Sequence, residues 1–514
     1  MEKISFTISI LIILVLIGNG GMILVYGQNS NLAITHGVAS GDVTANSTMI
    51  WTRSNNQKAI MNVQFDTSPN FTHPNSKITT VNGTTDFTGH VKLDSLNPDT
   101  LYYYRVWFSS PDNSSTSDTM SGTFRTALDH SSSRSISFAM GGDLAGQRRC
   151  SRVDIGYPIF SVIKALHPDF FIANGDMIYG DNDCPARGPD NVTGWQNIPG
   201  DFTNITDPKV NWNDLGQLKD VYLKHWEYDR ADPHLQGLLQ NISYYSQADD
   251  HEVANDYGGQ WSYYTNETRD RPGFPNVVKA GISTFFDFSP IDRNQTDPNR
   301  IYRSFNWGKD MDLFILDAHS YRSRNSLPDT ANNKTLLGKE QVNWLEQGLL
   351  NSKATWKVVS DDDPIMIPNC SKEGHNEPQG CDNWATDGKS KYSFAKERNQ
   401  FLKFLDDNNI KNVVFVTTDT HFPSNIVLNQ DFNGDGDKLI IHELVSGPLN
   451  SGTFGPDPID RTVNATYLYK ESGIFNFGYY KIQKQPDGKM HFISEVRGIE
   501  GITRPGSYLD LIPQ

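Results

Sequence analysis

At 514 residues the chain exceeds one ordinary domain, and 37% apolar with 11% aromatic residues is enough for a sizeable core. A net charge of −15 excludes a nucleic-acid partner held on a basic face. The same charge suits an acidic extracellular surface or clustered carboxylates that bind cations, and does not separate the two.

Lys3 and the nearly unbroken apolar run from Ile4 to Ile17, with Gly and polar residues following to about Gln28, predict a secretory signal over residues 1–28. Met22 to Tyr26 prolong the run towards spanning length, so an uncleaved anchor is the alternative and the one membrane contact expected. Dense N-x-[ST] sequons, Asn46, Asn82, Asn204 and Asn464 among them, agree with export, although each is a weak motif. The expected location is therefore extracellular, a periplasm-like space or the cell surface. In an exported chain the four cysteines suggest Cys370 with Cys381 across a polar loop, and Cys150 with Cys184. A metal-ligand role for Cys150 is the alternative.

From residue 31 to 128 the pattern is all-β. Short runs such as Thr48–Arg53 and Met61–Phe65 alternate between Asn, Gly, Ser and Pro clusters. Leu96-x-Pro98 followed by Tyr102 resembles the tyrosine corner of immunoglobulin- and fibronectin-like sandwiches. Asp129 to Ser133 reads as a linker. From 135 to 514 strands alternate with helices. Ile136–Met140, Phe170–Ala173, Leu313–Asp317, Trp356–Ser360 and Val413–Val416 read as strands, while 157–166, 337–345 and 401–405 have helical spacing. This order predicts an α/β layered sandwich. Asp183 to Tyr245 is expected to be a partly helical insertion over a sheet edge, and 257–299 a loop region.

The strands share one property: several end in a carboxylate or an imidazole. Asp143, Asp176, the Asp250-His251 pair, Asp361 to Asp363, and Asp419 with His421 all sit there. Strand ends on one edge of an open sheet converge in space, and one such Asp could be a helix cap whereas five such ends could not. Oxygen-rich ligands with a minority of His suit hard cations, and a pair of them would clamp and polarise a phosphoryl group. Asp176, with Tyr179 one short loop beyond, is the natural bridge.

The motifs Gly175-Asp176-x-x-Tyr179, Asp249-Asp250-His251-Glu252-Val253, Leu336 to Gln341, and Asp419-x-His421 resemble those of the PhoD-like alkaline phosphatases. These are metallophosphoesterases whose metal-site plan is similar to that of purple acid phosphatases. His36 to Asp42 and the β-region behind it are similar to that family's accessory domain. The resemblance implies a metallophosphoesterase sandwich over 135–514 behind a β-sandwich over 31–128. It also implies two or more metal ions. Asp143, Asp176, Tyr179 and His421 would hold one, with Tyr179 pointing to Fe(III). Asp176, Asp250 and Asp419 would hold a second, with Asp361 or Asp362 as a further ligand and Ca, Mg or Mn as the ion. His251 would sit beside the phosphate and donate to it or to the leaving oxygen, and a metal-bound hydroxide would attack in line on small phosphate esters or phosphodiesters. The chain departs from the family in having Asp143 where a Cys is common, which leaves Asp143 or Cys150 as the first ligand.

Arg148 and Arg149 could pair with substrate phosphate or belong to a solvated loop. Asp431 to Asp437 matches half of an EF-hand loop, but His442 stands at the twelfth position, so a hairpin loop is expected instead. Two rival functions remain open at this level: a phospholipase-like phosphodiesterase of lipid or polymer headgroups, and an inactive cell-surface binding protein.

Overall fold

Phe170–Asn174 is buried at every position, and its alternate side chains serve two different cores. Phe170 and Ile172 face a core shared with Leu313, Ile315, Val358 and Val414 of a second sheet. Phe171 and Ala173 face the opposite way, among Phe160, Leu218 and Leu235 of covering helices. Val413–Thr417 does the same, with Val414 and Val416 turned inward and Val413 and Phe415 outward. A strand covered on both faces has no polar side, which is why these elements read as unbroken apolar runs.

The computed structural model describes residues 31–190, 192–259, 273–370 and 381–514, and Leu32–Gln514 forms one compact unit. The signal or anchor expected over 1–28 lies outside the described residues. Two sheets pack face to face. One has nine strands, in the spatial order Leu509–Leu511, Met490–Gly498, Asn476–Lys484, Ile136–Gly141, Phe170–Asn174, Ser243–Gln247, Ile34–Gly41, Thr48–Ser54 and Thr88–Leu93. The other has seven, in the order Arg303–Asn306, Met311–Ile315, Trp356–Ser360, Val413–Thr417, Leu439–Val445, Ser424–Gln430 and Ala465–Lys470. Helices Ile159–Ala165, Leu215–Arg230, Pro233–Leu239 and Phe274–Phe288 cover the first, while Lys339–Asn351 and Ala395–Asp407 cover the second. The result is a helix–sheet–sheet–helix sandwich, the expected α/β class.

The amino-terminal β-region is a sandwich too. Its four-stranded sheet (Asn75–Val81, Ala59–Asp66, Leu101–Ser109, Met120–Arg125) packs Met61, Val63, Tyr104 and Val106 against Ile50, Val91 and Leu93. The tyrosine corner is present: the Asn97 backbone N–H donates to Tyr102 Oη at 2.9 Å. The opposing layer of this sandwich continues into the nine-stranded sheet, because Ile34–Gly41 meets Ser243–Gln247 in parallel. Arg303 seals the junction by donating to Asp42 at 2.8 Å, and Trp51 Nε1 donates to the Asp287 carbonyl at 2.8 Å.

Three regions differ from the sequence expectation. Phe274–Phe288 is a helix inside the expected loop region; Pro275, Gly281 and the β-branched Val277 and Val278 mask its period. Ser243–Gln247, expected at the end of an insertion, is a central buried strand that reads Ser-Tyr-Tyr-Ser-Gln rather than an apolar run. Strands from 465 to 511 complete both sheets with amphipathic sequences that carried no motif. Asp431 to Lys438 is the expected hairpin loop, and Asp431 folds back to accept from Gly434 and Gly436 N–H. Among the described residues, no helix is long and apolar enough to cross a membrane.

Candidate metal centre

Ile136–Gly141, Phe170–Asn174 and Ser243–Gln247 run parallel in the first sheet, and Met311–Ile315, Trp356–Ser360 and Val413–Thr417 run parallel in the second. Side chains at their carboxyl ends lock the sheets together. Asn174 Nδ2 donates to Ser360 Oγ at 2.7 Å, Thr418 Oγ1 to Asn174 Oδ1 at 2.6 Å, and Gln247 Nε2 to Asp362 Oδ1 at 3.1 Å. The chain then turns sharply. Asp143, Asp176, Asp419 and His421 all have left-handed backbones, with φ of 59°, 52°, 65° and 58°. Non-glycine residues held there store strain and concentrate at functional sites. Gly175 (φ 78°) makes the turn before Asp176, and a Cβ on it would come within 2.3 Å of Asp249 Cβ.

Asp143, Asp176 and His421 bring one ligand atom each within 4.8 Å of one another, all buried. Tyr179 joins them, its hydroxyl donating to His421 Nε2 at 3.3 Å. His421 Nδ1–H donates to the Gly452 carbonyl at 2.6 Å. That bond fixes the tautomer and leaves the Nε2 lone pair facing Asp143, 3.6 Å away. Burial holds the His421 pKa down at about 4, so the ring is neutral. Burial pushes the Asp143 carboxyl up to about 8, and Asp176 well above the usual range with help from Asp249 and Asp250.

Asp176 also belongs to a second group, with Asp250 and His251. Its carboxylate accepts from the His251 backbone N–H at 3.1 Å. His251 Nε2 lies 4.0 Å from Asp176 and 3.9 Å from Asp250, while its Nδ1 donates to Asp181 at 2.7 Å. Burial opposes charge on this ring, but Asp181 and Asp250 outweigh it and hold the pKa up at about 10. Glu252 ties the two loops, accepting from the backbone N–H groups of Asp176, Met177 and Asp249 at 3.0, 2.8 and 2.9 Å.

The remaining sequence candidates have varied places. Asp419 lines the cleft above this cluster, accepting from Asn369 at 3.4 Å. Asp361 and Asp362, expected as further ligands, are buried at the neighbouring strand end. Asp362 is engaged by Gln247 and by His319 Nε2 at 3.1 Å, within a group that also contains Asp249. Cys150 is bonded to Cys184, so it has no thiolate to offer, and of the two first-strand candidates only Asp143 has a free ligand atom. Cys370 is bonded to Cys381. Arg148 reaches Asp190 at 3.7 Å on the surface, and Arg149 lies over the rings of Trp195 and Phe475 at 5.5 Å each. Neither lines the cleft. The sequence pattern assigns no role to Asp181, Glu252, Gly452, Asn174 or Ser360. Only Glu252 stands inside a motif, Asp249 to Val253, while Asp181 lies two residues beyond the end of the other.

The donor set fits hard cations. Both oxygens of Asp143 are buried without a hydrogen-bond partner among the described residues, and two carboxylates, Asp143 and Asp176, converge with a phenol and a neutral imidazole, while Asp176 also meets Asp250. Without positive charge such a cluster is self-repelling. A cleft of about 680 Å³ opens onto it, lined by Asp250, His251, Asp419 and His421.

The layered fold and the strand-end carboxylates define a metallophosphoesterase, and comparison with known proteins agrees. The PhoD-like phosphatase family matches residues 146–491, and that family's N-terminal domain matches 26–128. Alkaline phosphatase D of Bacillus subtilis (strain 168) is 24% identical over 93% of this chain and 79% of its own. A solved structure of PhoD superposes with a TM-score of 0.71 at 20% identity, covering 94% of this chain and 90% of that one. Purple acid phosphatase PPD1 from yellow lupin (Lupinus luteus) gives 0.57 at 12% identity, covering 92% and 73%. The chain belongs to the PhoD-like phosphatase family and is a metal-dependent hydrolase of phosphoric esters.

Proposed function

We propose that the protein is an exported phosphatase and phosphodiesterase with two metal sites that would share Asp176 as a ligand. The single observation that carries this is the membership of Asp176 in two buried ligand groups at once, with Asp143 and His421 on one side and Asp250 on the other. Asp143, Tyr179 and His421 complete the first site, and Asp250 with Asp419 the second. The phenol favours Fe(III) in the first site, and the oxygen-only second set favours Ca, Mg or Mn. The bound ions would supply positive charge against the phosphoryl oxygens and acidify a water molecule.

The chain's own groups do the rest. His421 keeps its Nε2 lone pair on the first site because Gly452 holds the Nδ1 proton. His251 stands at the cleft with a proton on Nε2 for the departing alkoxide, and Asp181 steadies the charge. Glu252 keeps the Asp176 and Asp249 turns at a constant separation. Two disulfides fit an oxidising compartment, which supports export.

Elemental analysis of protein purified without chelator should return two or more metal ions per chain. Asp176→Asn should release them and abolish hydrolysis of p-nitrophenyl phosphate and bis-p-nitrophenyl phosphate; full activity in that variant overturns the assignment. Iron in the first site should give a visible phenolate-to-iron absorption that vanishes in Tyr179→Phe. A colourless protein that contains iron would refute this ligation.

A further inference from the structure

Among the described residues, the cleft above the metal centre carries one large apolar group. Phe454 is 51% exposed, although its neighbours in the lining include Asp250, His251, Asp419 and Asp457. A single exposed apolar side chain on an outer surface needs no account, but an aromatic face held open beside a charged reaction site has one. The ring is also fixed in place. Its backbone N–H donates to the His421 carbonyl at 3.1 Å, and its centroid lies 4.9 Å from the His421 ring at an angle of 49°. Gly452 supports it from below, where a Cβ would come within 3.1 Å of Phe454 Cζ. Gly455 permits the sharp turn that follows, since a Cβ there would meet the Phe422 ring at 2.1 Å.

From this arrangement we infer that Phe454 is a specificity-determining platform for the organic part of the ester. A phosphoryl group drawn to bound ions at the carboxylate-lined end of the cleft would turn its esterifying group towards the ring. The favoured substrates are then phosphoric esters whose alcohol or phenol presents a flat aromatic face. Offset or edge contacts with such a face add to the energy of burying it, while a small hydrophilic alcohol obtains neither. This rests on the phosphoric-ester reading above.

Calorimetric titration of the metal-loaded protein with benzylphosphonate and with methylphosphonate tests it without turnover, because the two ligands share the anion and differ in the ring. The wild type should bind benzylphosphonate about fivefold more tightly. In Phe454→Ala that ratio should fall close to unity, and Phe454→Trp should keep it. A wild type without ring preference, or a ratio that survives Phe454→Ala, overturns the inference and leaves the phosphoesterase reading standing. So does equal weakening of both ligands with the ratio kept, which would make the ring only a prop for His421. A wild type that binds neither phosphonate overturns the underlying reading and the inference with it.

Discussion

His251 and His421 are both buried imidazoles at strand ends, yet their surroundings drive them in opposite directions. Burial leaves His421 neutral despite its Gly452 partner, whereas Asp181 and Asp250 outweigh burial and keep a proton on His251. One ring is suited to ligate a cation and the other to donate a proton. His251→Gln should lower kcat on p-nitrophenyl phosphate by about two to four orders of magnitude with metal content unchanged. Asp181 acts through the ring, so Asp181→Asn should lower kcat by about ten- to a hundredfold with KM and metal content close to wild type. A rise in KM alone would mean that Asp181 shapes the cleft rather than the proton donor. The motif around Asp250 made His251 legible from sequence. Asp181 stood in plain view two residues beyond Tyr179, but nothing local says which imidazole it will meet.

At the level of the elements, the site is a set of strand-end turns under strain. Gly175 is the tightest: a side chain there meets Asp249 Cβ, and its φ of 78° disfavours other residues. Gly175→Ala should cost about 3 kcal/mol or more in urea denaturation. A variant of wild-type stability would show that this turn relaxes freely. The Cys150–Cys184 disulfide joins the loop that follows Asp143 to the loop that follows Tyr179. Replacing both with Ser should lower stability by about 3 kcal/mol and speed metal loss on dialysis, because two ligand-bearing loops lose their common anchor. Unchanged metal retention would confine the bond to a folding role. The strands behind these turns were legible because double-sided burial writes apolar runs. The helix Phe274–Phe288 was not, because Pro275, Gly281 and β-branched residues blur a period that only its packing partners reveal.

The whole molecule brings many carboxylates into a dry interior, and this couples its stability to metal and to pH. In the metal-free protein, burial raises the Asp143 pKa from 3.8 to about 8, and acidic neighbours raise that of His251 from 6.5 to about 10. Both shifts mean that the folded state binds more protons than the unfolded one, Asp143 between about pH 4 and 8 and His251 between about pH 6.5 and 10. Stability of the chelated protein should therefore fall as pH rises through these windows. Thermal melts of chelated protein should show Tm decreasing from acid to alkaline pH, and metal should raise Tm most at the alkaline end. A flat profile in chelator would mean that the cluster is not buried as described.

The sequence by itself determined the α/β class, the β-region with its tyrosine corner, and the identity of the strand-end residues, because periodicity, turn chemistry and short motifs are encoded within a few neighbouring residues. Only the tertiary structure decided how those ends meet. It bonded Cys150 to Cys184, which removes that thiolate from the candidate ligands. It turned Asp362 towards His319 and Gln247, and stacked Arg149 on Trp195 and Phe475 away from the cleft. It also fixed the His421 tautomer through Gly452 and set Phe454 beside the ring. Each of these depends on the relative placement of segments tens to hundreds of residues apart, set by two facing sheets and the lock between Asn174, Ser360 and Thr418, and no local pattern records it.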